Sequence, residues 1–247
     1  MNNESLIKKY RMVYDHHTHT TYSHGKGSIM DNVKVAHEKG LKSIAITDHG
    51  PGNFLYGMKM NKIPQMREDI KACRAVYPDV KVFLGVEANT ILKVPYLDVK
   101  PSEWEKLDIV LAGYHFAVMH SGMIPNRLGF HGQTTLVRNT DMILNALYYS
   151  EDCGNHIDIL THPGDKGPFD IEAIAQACED TGTFMEINAK HPHLNVEEIK
   201  TAAKFDVHFV ISSDAHVPQA VGVFEPQLRR ALEAGLDPER IVNIRSK

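Results

Sequence analysis

Residues able to hold divalent cations recur along this chain at matching local positions, each just past a short apolar run. The first run leads into Asp15-His16-His17-Thr18-His19, with His24 a few residues on. Six further runs end in Thr47-Asp48-His49-Gly50, Gly85-Val86-Glu87-Ala88-Asn89, Gly113-Tyr114-His115, Thr161-His162-Pro163-Gly164, Glu186-Ile187-Asn188 and Ser213-Asp214-Ala215-His216. Neutral imidazole suits zinc, iron or manganese-type ions, and carboxylates suit harder ions or bridge two of them. His17, His19, His24, His49, His115, His162 and His216, with Glu87 and Asp214, make nine potential ligands. A mononuclear catalytic zinc takes about three protein ligands. Nine therefore supply two or three divalent ions, with zinc expected first and iron or manganese next. A lone histidine at a strand end is more often a surface or satisfied core residue. Seven at matched positions are not accounted for that way.

Spacing refines this set. In a strand, residues two apart point to the same side, so His17 and His19 aim together while His16 faces the helix layer. Asp214 and His216 form a similar pair. Asp15 and Asp48 each precede a ligand, where a carboxylate can take the second ring N–H of an imidazole. Asn188 has an amide suited to that role or to substrate. Arg127 and Lys190, in loops after the fourth and sixth runs, read as solvated surface charges, with contact to an anionic substrate as the alternative. The other histidines, His16, His37, His120, His131, His156, His191, His193 and His208, read as surface or packing residues, His208 inside a strand. For His191 and His193 the alternative is a place at the rim of the site. His37-Glu38 begins like a zincin motif, but Leu41 stands where its second histidine belongs.

The elements that must position these residues alternate. Apolar runs at 12–14, 43–47, 80–86, 109–113, 157–160, 183–187 and 207–211 read as strands of a parallel sheet covered on both faces. Helical patterns lie between them near 30–39, 61–76, 132–149, 170–181, 195–204 and 225–234. Asp170 stands at an N-cap position, and Gly40, Gly182 and Gly235 stand where helices end. Such alternation gives right-handed βαβ units, in an open doubly wound sheet or a closed barrel. An open sheet places its ligand at one switch point, whereas a barrel gathers every strand end at one mouth. Chemistry at all seven ends favours the barrel.

Length and composition agree. The chain has 247 residues, a usual barrel length, read as a single domain over 1–247, with hydrophobic and charged contents of 43% and 23%. A net charge of −4 provides no field to attract nucleic acid or an anionic membrane. Cys73, Cys153 and Cys178 form no CxxC pair, which suits a reducing cytoplasm. No stretch approaches the length of a membrane span. There is no Walker A loop, no GxGxxG after a strand and no GxSxG elbow. A homo-oligomer is compatible with the sequence.

Together, His17-Thr18-His19, Thr47-Asp48-His49-Gly50-Pro51, Gly85-Val86-Glu87-Ala88-Asn89, His115, His162-Pro163-Gly164, Glu186-Ile187-Asn188 and Ser213-Asp214-Ala215-His216 resemble the PHP (polymerase and histidinol phosphatase) metal-dependent phosphoesterases. The likeness runs from about residue 12 to residue 244 and is nearest to the stand-alone bacterial phosphatase branch. It implies an α/β, distorted (β/α)7 TIM-like barrel with a trinuclear metal site at the C-terminal mouth of its strands. Carried over by motif, His17, His19, Glu87 and Asp214 hold one ion. Glu87, His115 and His162 hold a second, and His24, His49 and His216 a third. The resemblance implies hydrolysis of a small phosphate monoester by a metal-bridging hydroxide, with Glu87, Asp214 and His216 as catalytic residues. Two departures stand out: His16 replaces an apolar residue, and Ala189-Lys190-His191-Pro192 replaces small polar residues. The alternatives are a histidinol-phosphate phosphatase, an amidohydrolase-type hydrolase and, last, a non-catalytic metal-binding module.

Overall fold

Each of the seven apolar runs contributes a strand, and the seven pair in parallel in sequence order. A computed structural model describes residues 3–130 and 132–247. Helix α1 (Asn3–Ile7) and strand β1 (Tyr10–Met12) come first. The barrel strands are β2 (Tyr14–Asp15), β3 (Ser43–Ile46), β4 (Lys81–Asn89), β5 (Ile109–Gly113), β6 (Ile159–Leu160), β7 (Phe184–Asn188) and β8 (Phe209–Ser212). The remaining helices are α2 (Ile29–Glu38), α3 (Ile63–Val76), α4 (Met123–Arg127), α5 (Gln133–Asp152), α6 (Ile171–Thr181), α7 (Val196–Ala202) and α8 (Glu225–Glu233), and β9 (Ile244–Ser246) ends the chain. The short α1 and α4 have no apolar periodicity long enough to announce them. The β1–β9 antiparallel ribbon, with Met12 opposite Ile244, joins the two ends of the chain and has no local signal.

Strand alternation builds two apolar layers. On β4, Val82, Leu84 and Val86 are buried in the large core that also takes in Val33, Ile70, Leu147, Ile174 and Leu228 from the surrounding helices. Phe83 packs instead on the barrel's inner cluster of Ala45, Ile109, Leu111, Ile159 and Val210. Each such side chain contributes roughly 1.5–3 kcal/mol when fully buried. Phe83, Gly85 and Glu87 share a strand face, so the register that sends Phe83 inward sends Glu87 to the barrel mouth. Side chains also cap the helices. Asp170 accepts from Glu172 N and Ala173 N at 3.1 Å, and Gly182 ends α6 at φ +70°. Capping boxes that the sequence reading did not single out, Ser28 with Asp31 and Asn195 with Glu198, open α2 and α7.

Closure is incomplete as a ladder, which gives the barrel its distortion. Between β2 and β8 a parallel bridge joins Thr18 to Ala215, with His19 N donating to Ala215 O at 2.9 Å. The buried Asn243 side chain stitches the same seam, donating to Tyr14 O at 2.9 Å and Ile211 O at 2.6 Å. Asp15 adds bonds from Ser213 Oγ (2.5 Å) and Gly222 N (2.8 Å).

Two expectations need correction. His16 does not face the helices. Its ring stacks on Tyr14 at 4.1 Å, meets Phe83 at 5.2 Å, and its Nε2 lies 2.9 Å from Ser43 Oγ, all on the barrel's inner side. Tyr14 and His16 keep the two-residue alternation, but the ladder ends at Asp15, so the following His17 is free to turn inward as well. Burial, assisted by Lys81, pushes the His16 imidazole down to about 3. His208 is exposed and sits one residue before β8 rather than inside it. His131 lies outside the described residues. No helix among the described residues is long and apolar enough to cross a membrane.

Candidate metal centre

Glu87, fully buried at the mouth end of β4, is the hub of the cluster. Its Oε1 lies 3.0 Å from His162 Nε2, 3.2 Å from His115 Nε2 and 3.3 Å from His17 Nε2. Its Oε2 lies 2.9 Å from His49 Nδ1 and 3.6 Å from His19 Nε2. His49 is the bridge partner of Glu87 across β3 and β4, so sheet register itself sets that pair. Gly113 makes room for them. A Cβ there would collide with Thr161 Oγ1 and come within 3.0 Å of Glu87 Oε1.

Asp214 anchors the other half. Its Oδ1 lies 3.0 Å from His19 Nε2, 3.3 Å from His216 Nδ1 and 3.7 Å from His17 Nε2. The His24 ring completes the group, 4.2 Å from His216 and 4.8 Å from His49. Asp214 (φ +49°) and His162 (φ +31°) both sit on left-handed backbone, each on the second residue past its strand, a conformation side chains adopt at a cost.

Hydrogen bonds behind the rings decide which nitrogen faces inward. His115 Nδ1 is 2.8 Å from Asn89 Oδ1, an atom that only accepts, so the ring donates there and its Nε2 keeps a lone pair toward Glu87. Asn89 Nδ2 donates to Asp98 at 2.5 Å, which fixes the amide's orientation. His17 Nδ1 contacts Glu186 Oε1 at 2.6 Å, and His216 Nδ1 contacts the Asp214 carbonyl at 2.8 Å, with the same consequence for each Nε2.

The electrostatics suit a cation. Burial alone would raise the Glu87 carboxyl, but His115, His17 and His49 outweigh it and hold Glu87 well below the usual carboxylate range. Burial is likewise outweighed at Asp214 by His17, His19 and His191. Burial pushes His115 down to about 4 and, with His216 and His49 nearby, His24 to about 3. It also lowers His19, His162 and His216. Neutral imidazoles beside ionised carboxylates are the ligand forms a metal requires. Glu87 Oε2, Asp214 Oδ1 and His49 Nδ1 are buried yet make no hydrogen bond, even with His49 and Glu87 crowding each other at 2.9 Å. Three overlapping trios have their ligand atoms mutually within 4.8 Å: His19-His49-His216, His17-His19-Asp214 and His49-Glu87-His115. The donor set therefore fits divalent ions.

The other expected residues fall in different places. Asp15 reaches no imidazole ring; it accepts from Ser213 and Gly222 and holds the seam. Asp48 accepts from Thr20 N (2.8 Å), Thr20 Oγ1 (2.6 Å) and Ser23 Oγ (2.5 Å), and so shapes the loop that carries His24. Asn188 Nδ2 donates to Glu186 Oε2 at 2.8 Å, while its Oδ1 accepts from Lys190 N and His191 N. Lys190 Nζ stands 3.2 Å from His216 Nδ1. Arg127 is exposed, with its guanidinium 6.0 Å from the Phe116 ring. Sequence reasoning passed over Glu186, which takes His17 on one oxygen and His162 N (2.7 Å) on the other. Its place two residues before Asn188, on the same strand face, was the available signal. His191 is at the site, with Nε2 3.3 Å from Asp214 Oδ2.

Comparison with known proteins points one way. Residues 15–190 match the model of the PHP domain. A "Probable phosphatase" of Thermoanaerobacter sp. (strain X514) is 32% identical over 94% of this chain and 91% of its own length. A "Probable phosphatase" of Shewanella sp. (strain MR-4) is 32% identical over 87% of this chain and 80% of its own. In fold, the chain resembles the histidinol phosphate phosphatase of Lactococcus lactis subsp. lactis Il1403, solved with zinc, L-histidinol and phosphate. That likeness has a TM-score of 0.59 and 14% identity, covering 92% of this chain and 95% of the other.

Proposed function

Because the chain belongs to the PHP domain family, we propose that its barrel mouth hydrolyses a small phosphate monoester with the help of three divalent ions. His17, His19, Glu87 and Asp214 would hold one ion, Glu87, His115 and His162 a second, and His24, His49 and His216 a third. Zinc is the first candidate, followed by iron and manganese. One observation carries the reading: five imidazoles stand 2.9–3.6 Å from the two oxygens of the single buried Glu87. We read residues 1–247 as one catalytic unit.

Phosphate monoester hydrolysis is among the slowest reactions in water, and its enzymes accelerate it up to roughly 10²¹-fold. Bound divalent ions supply Lewis acidity, neutralising phosphoryl oxygens and bringing the pKa of a water to about 7. The chain's own residues make that arrangement rigid. Glu186 fixes the His17 ring and the His162 backbone together, and Asn89 fixes His115. Asn188 folds the 188–191 turn so that the Lys190 ammonium stands beside His216, where an anionic substrate would meet it. Neither buried cysteine is poised as a nucleophile: burial, with Asp69, pushes the Cys73 thiol up to about 11, and burial raises Cys178 too.

The test is elemental analysis of gently purified protein, with p-nitrophenyl phosphate and L-histidinol phosphate turnover before chelation, after it and after metal return. Two to three ions per chain, chelator-sensitive hydrolysis and a loss of about a hundredfold or more in Glu87→Gln support the reading. Full turnover by metal-replete Glu87→Gln, or hydrolysis indifferent to chelation, would overturn it.

A further inference from the structure

Lys166 lies in the loop between β6 and α6, four residues after His162. Its backbone is left-handed at φ +67°, a conformation L-residues rarely adopt, and it follows His162 and Gly164, which also have positive φ. The turn brings the ammonium to Asp165, whose carboxylate also meets His191, an imidazole that itself lies 3.3 Å from Asp214. The Lys166 charge is felt at His115, His162 and His191, three imidazoles of one side of the cluster.

The ammonium is only partly satisfied. Its Nζ is shut off from solvent, and the carboxylate beside it lies outside good hydrogen-bond geometry. The Asp165 carboxylate lies 2.6 Å away, but the same Oδ2 is 2.9 Å from His191 Nδ1. One carboxylate oxygen is thus divided between an ammonium and an imidazole, while a lysine ammonium has three N–H donors to place. With one shared contact, the ammonium's remaining N–H donors are buried without acceptors, which is rare in folded proteins and calls for a ligand or a function. A metal ion cannot be that ligand, since an ammonium offers no lone pair and repels cations. What fits is an anionic oxygen arriving at the His115–His162 side of the mouth.

We propose that Lys166 binds a non-bridging oxygen of the substrate's phosphoryl group, with Asp165 holding the ammonium in place before substrate arrives and retaining His191 afterwards. This rests on the phosphoesterase reading above. It adds a second cation to the rim besides Lys190, which stands instead at His216. The two lysines then grip the phosphoryl group from the β6 and β7 loops, while the β3 side of the mouth presents the Tyr56 ring, 4.2 Å from His24. A permanent positive charge aimed where phosphoryl oxygens gather charge favours both substrate binding and the transition state.

The experiment uses the full metal-loaded chain, with p-nitrophenyl phosphate as substrate and inorganic phosphate as the competing probe. Lys166→Met should raise KM and the inhibition constant for phosphate about tenfold or more, leaving metal content and Tm at wild-type values. Lys166→Arg should restore most of the phosphate affinity. Lys71→Met, on an 80% exposed side chain, controls for the loss of one surface charge and should change nothing. Wild-type KM and phosphate inhibition in Lys166→Met would overturn the assignment while leaving the phosphoesterase reading standing. So would a loss that merely tracks lost metal. A wild-type protein that neither hydrolyses the ester nor binds phosphate when metal-loaded would overturn both.

Discussion

Thr18 bridges Ala215 in parallel across the seam between β2 and β8. His17 and His19 flank Thr18, and Asp214 and His216 flank Ala215, so four of the nine candidate ligands hang on one join. Among the described residues its bonds include His19 N to Ala215 O, Lys26 N to His216 O, those of the Asn243 side chain and the contacts of Asp15. Barrel closure and cation binding should therefore be the same event energetically, because anything that binds only the closed form stabilises it by mass action.

Chelation should open this seam first. Hydrogen exchange at His19 N, whose acceptor lies across the join, should speed up on metal removal, while the amides of β5 in the middle of the sheet stay protected. Equal acceleration at both places, or at neither, would contradict the coupling. Mass spectrometry of peptides covering 15–24 and 109–113 provides the readout.

Glu186 should behave as a positioning residue. Both its oxygens are occupied by protein donors: His17 Nδ1 at 2.6 Å, His162 N at 2.7 Å and Asn188 Nδ2 at 2.8 Å. Glu186→Gln keeps the shape but removes the charge opposite His17 and sets an amide donor among donors. Partners of metal-bound histidines typically contribute 10–100-fold to affinity or activity, and a loss of about that size is expected here. Metal titration against a competing chelator, run beside turnover, checks it. An unchanged metal affinity would remove Glu186 from the site's support.

Asp98 should leave a pH signature away from the ligands. It is part-buried and accepts from Asn89 N, Asn89 Nδ2 and Gly52 N, yet burial outweighs these bonds and lifts its carboxyl to about 6. A folded-state pKa above the unfolded value of 3.8 means the native protein binds the extra proton. Its contribution to stability is complete below pH 3.8 and is lost as pH rises through 6, about 3 kcal/mol in all. Asp98→Asn removes this slope whatever it does to absolute stability. The wild-type minus variant difference in unfolding free energy, measured at pH 4, 5, 6 and 7, should fall steadily. A flat difference would refute the assignment.

Much of this protein was legible along the chain because the governing physics is local. An apolar run followed by a polar turn marks a strand and its end within about ten residues, so seven such runs announced the parallel strands and the nine side chains at their C-terminal edges. The imidazole and carboxylate chemistry followed from residue type. Tertiary structure decided everything that depends on partners distant in sequence. His17 meets Glu186 across 169 positions, and no local pattern marks that carboxylate as the support of that ring. The inward turn of His16 depended on where the β2 ladder stops, which β3 and the seam determine rather than residues 14–16. His191 carried both a surface and a rim reading and nothing local marks Lys166; the β6 and β7 loops bring the two to one carboxylate, Asp165. Residue type and spacing nominate ligands; closure of the barrel decides which side chains stand behind them and which stand beside the substrate.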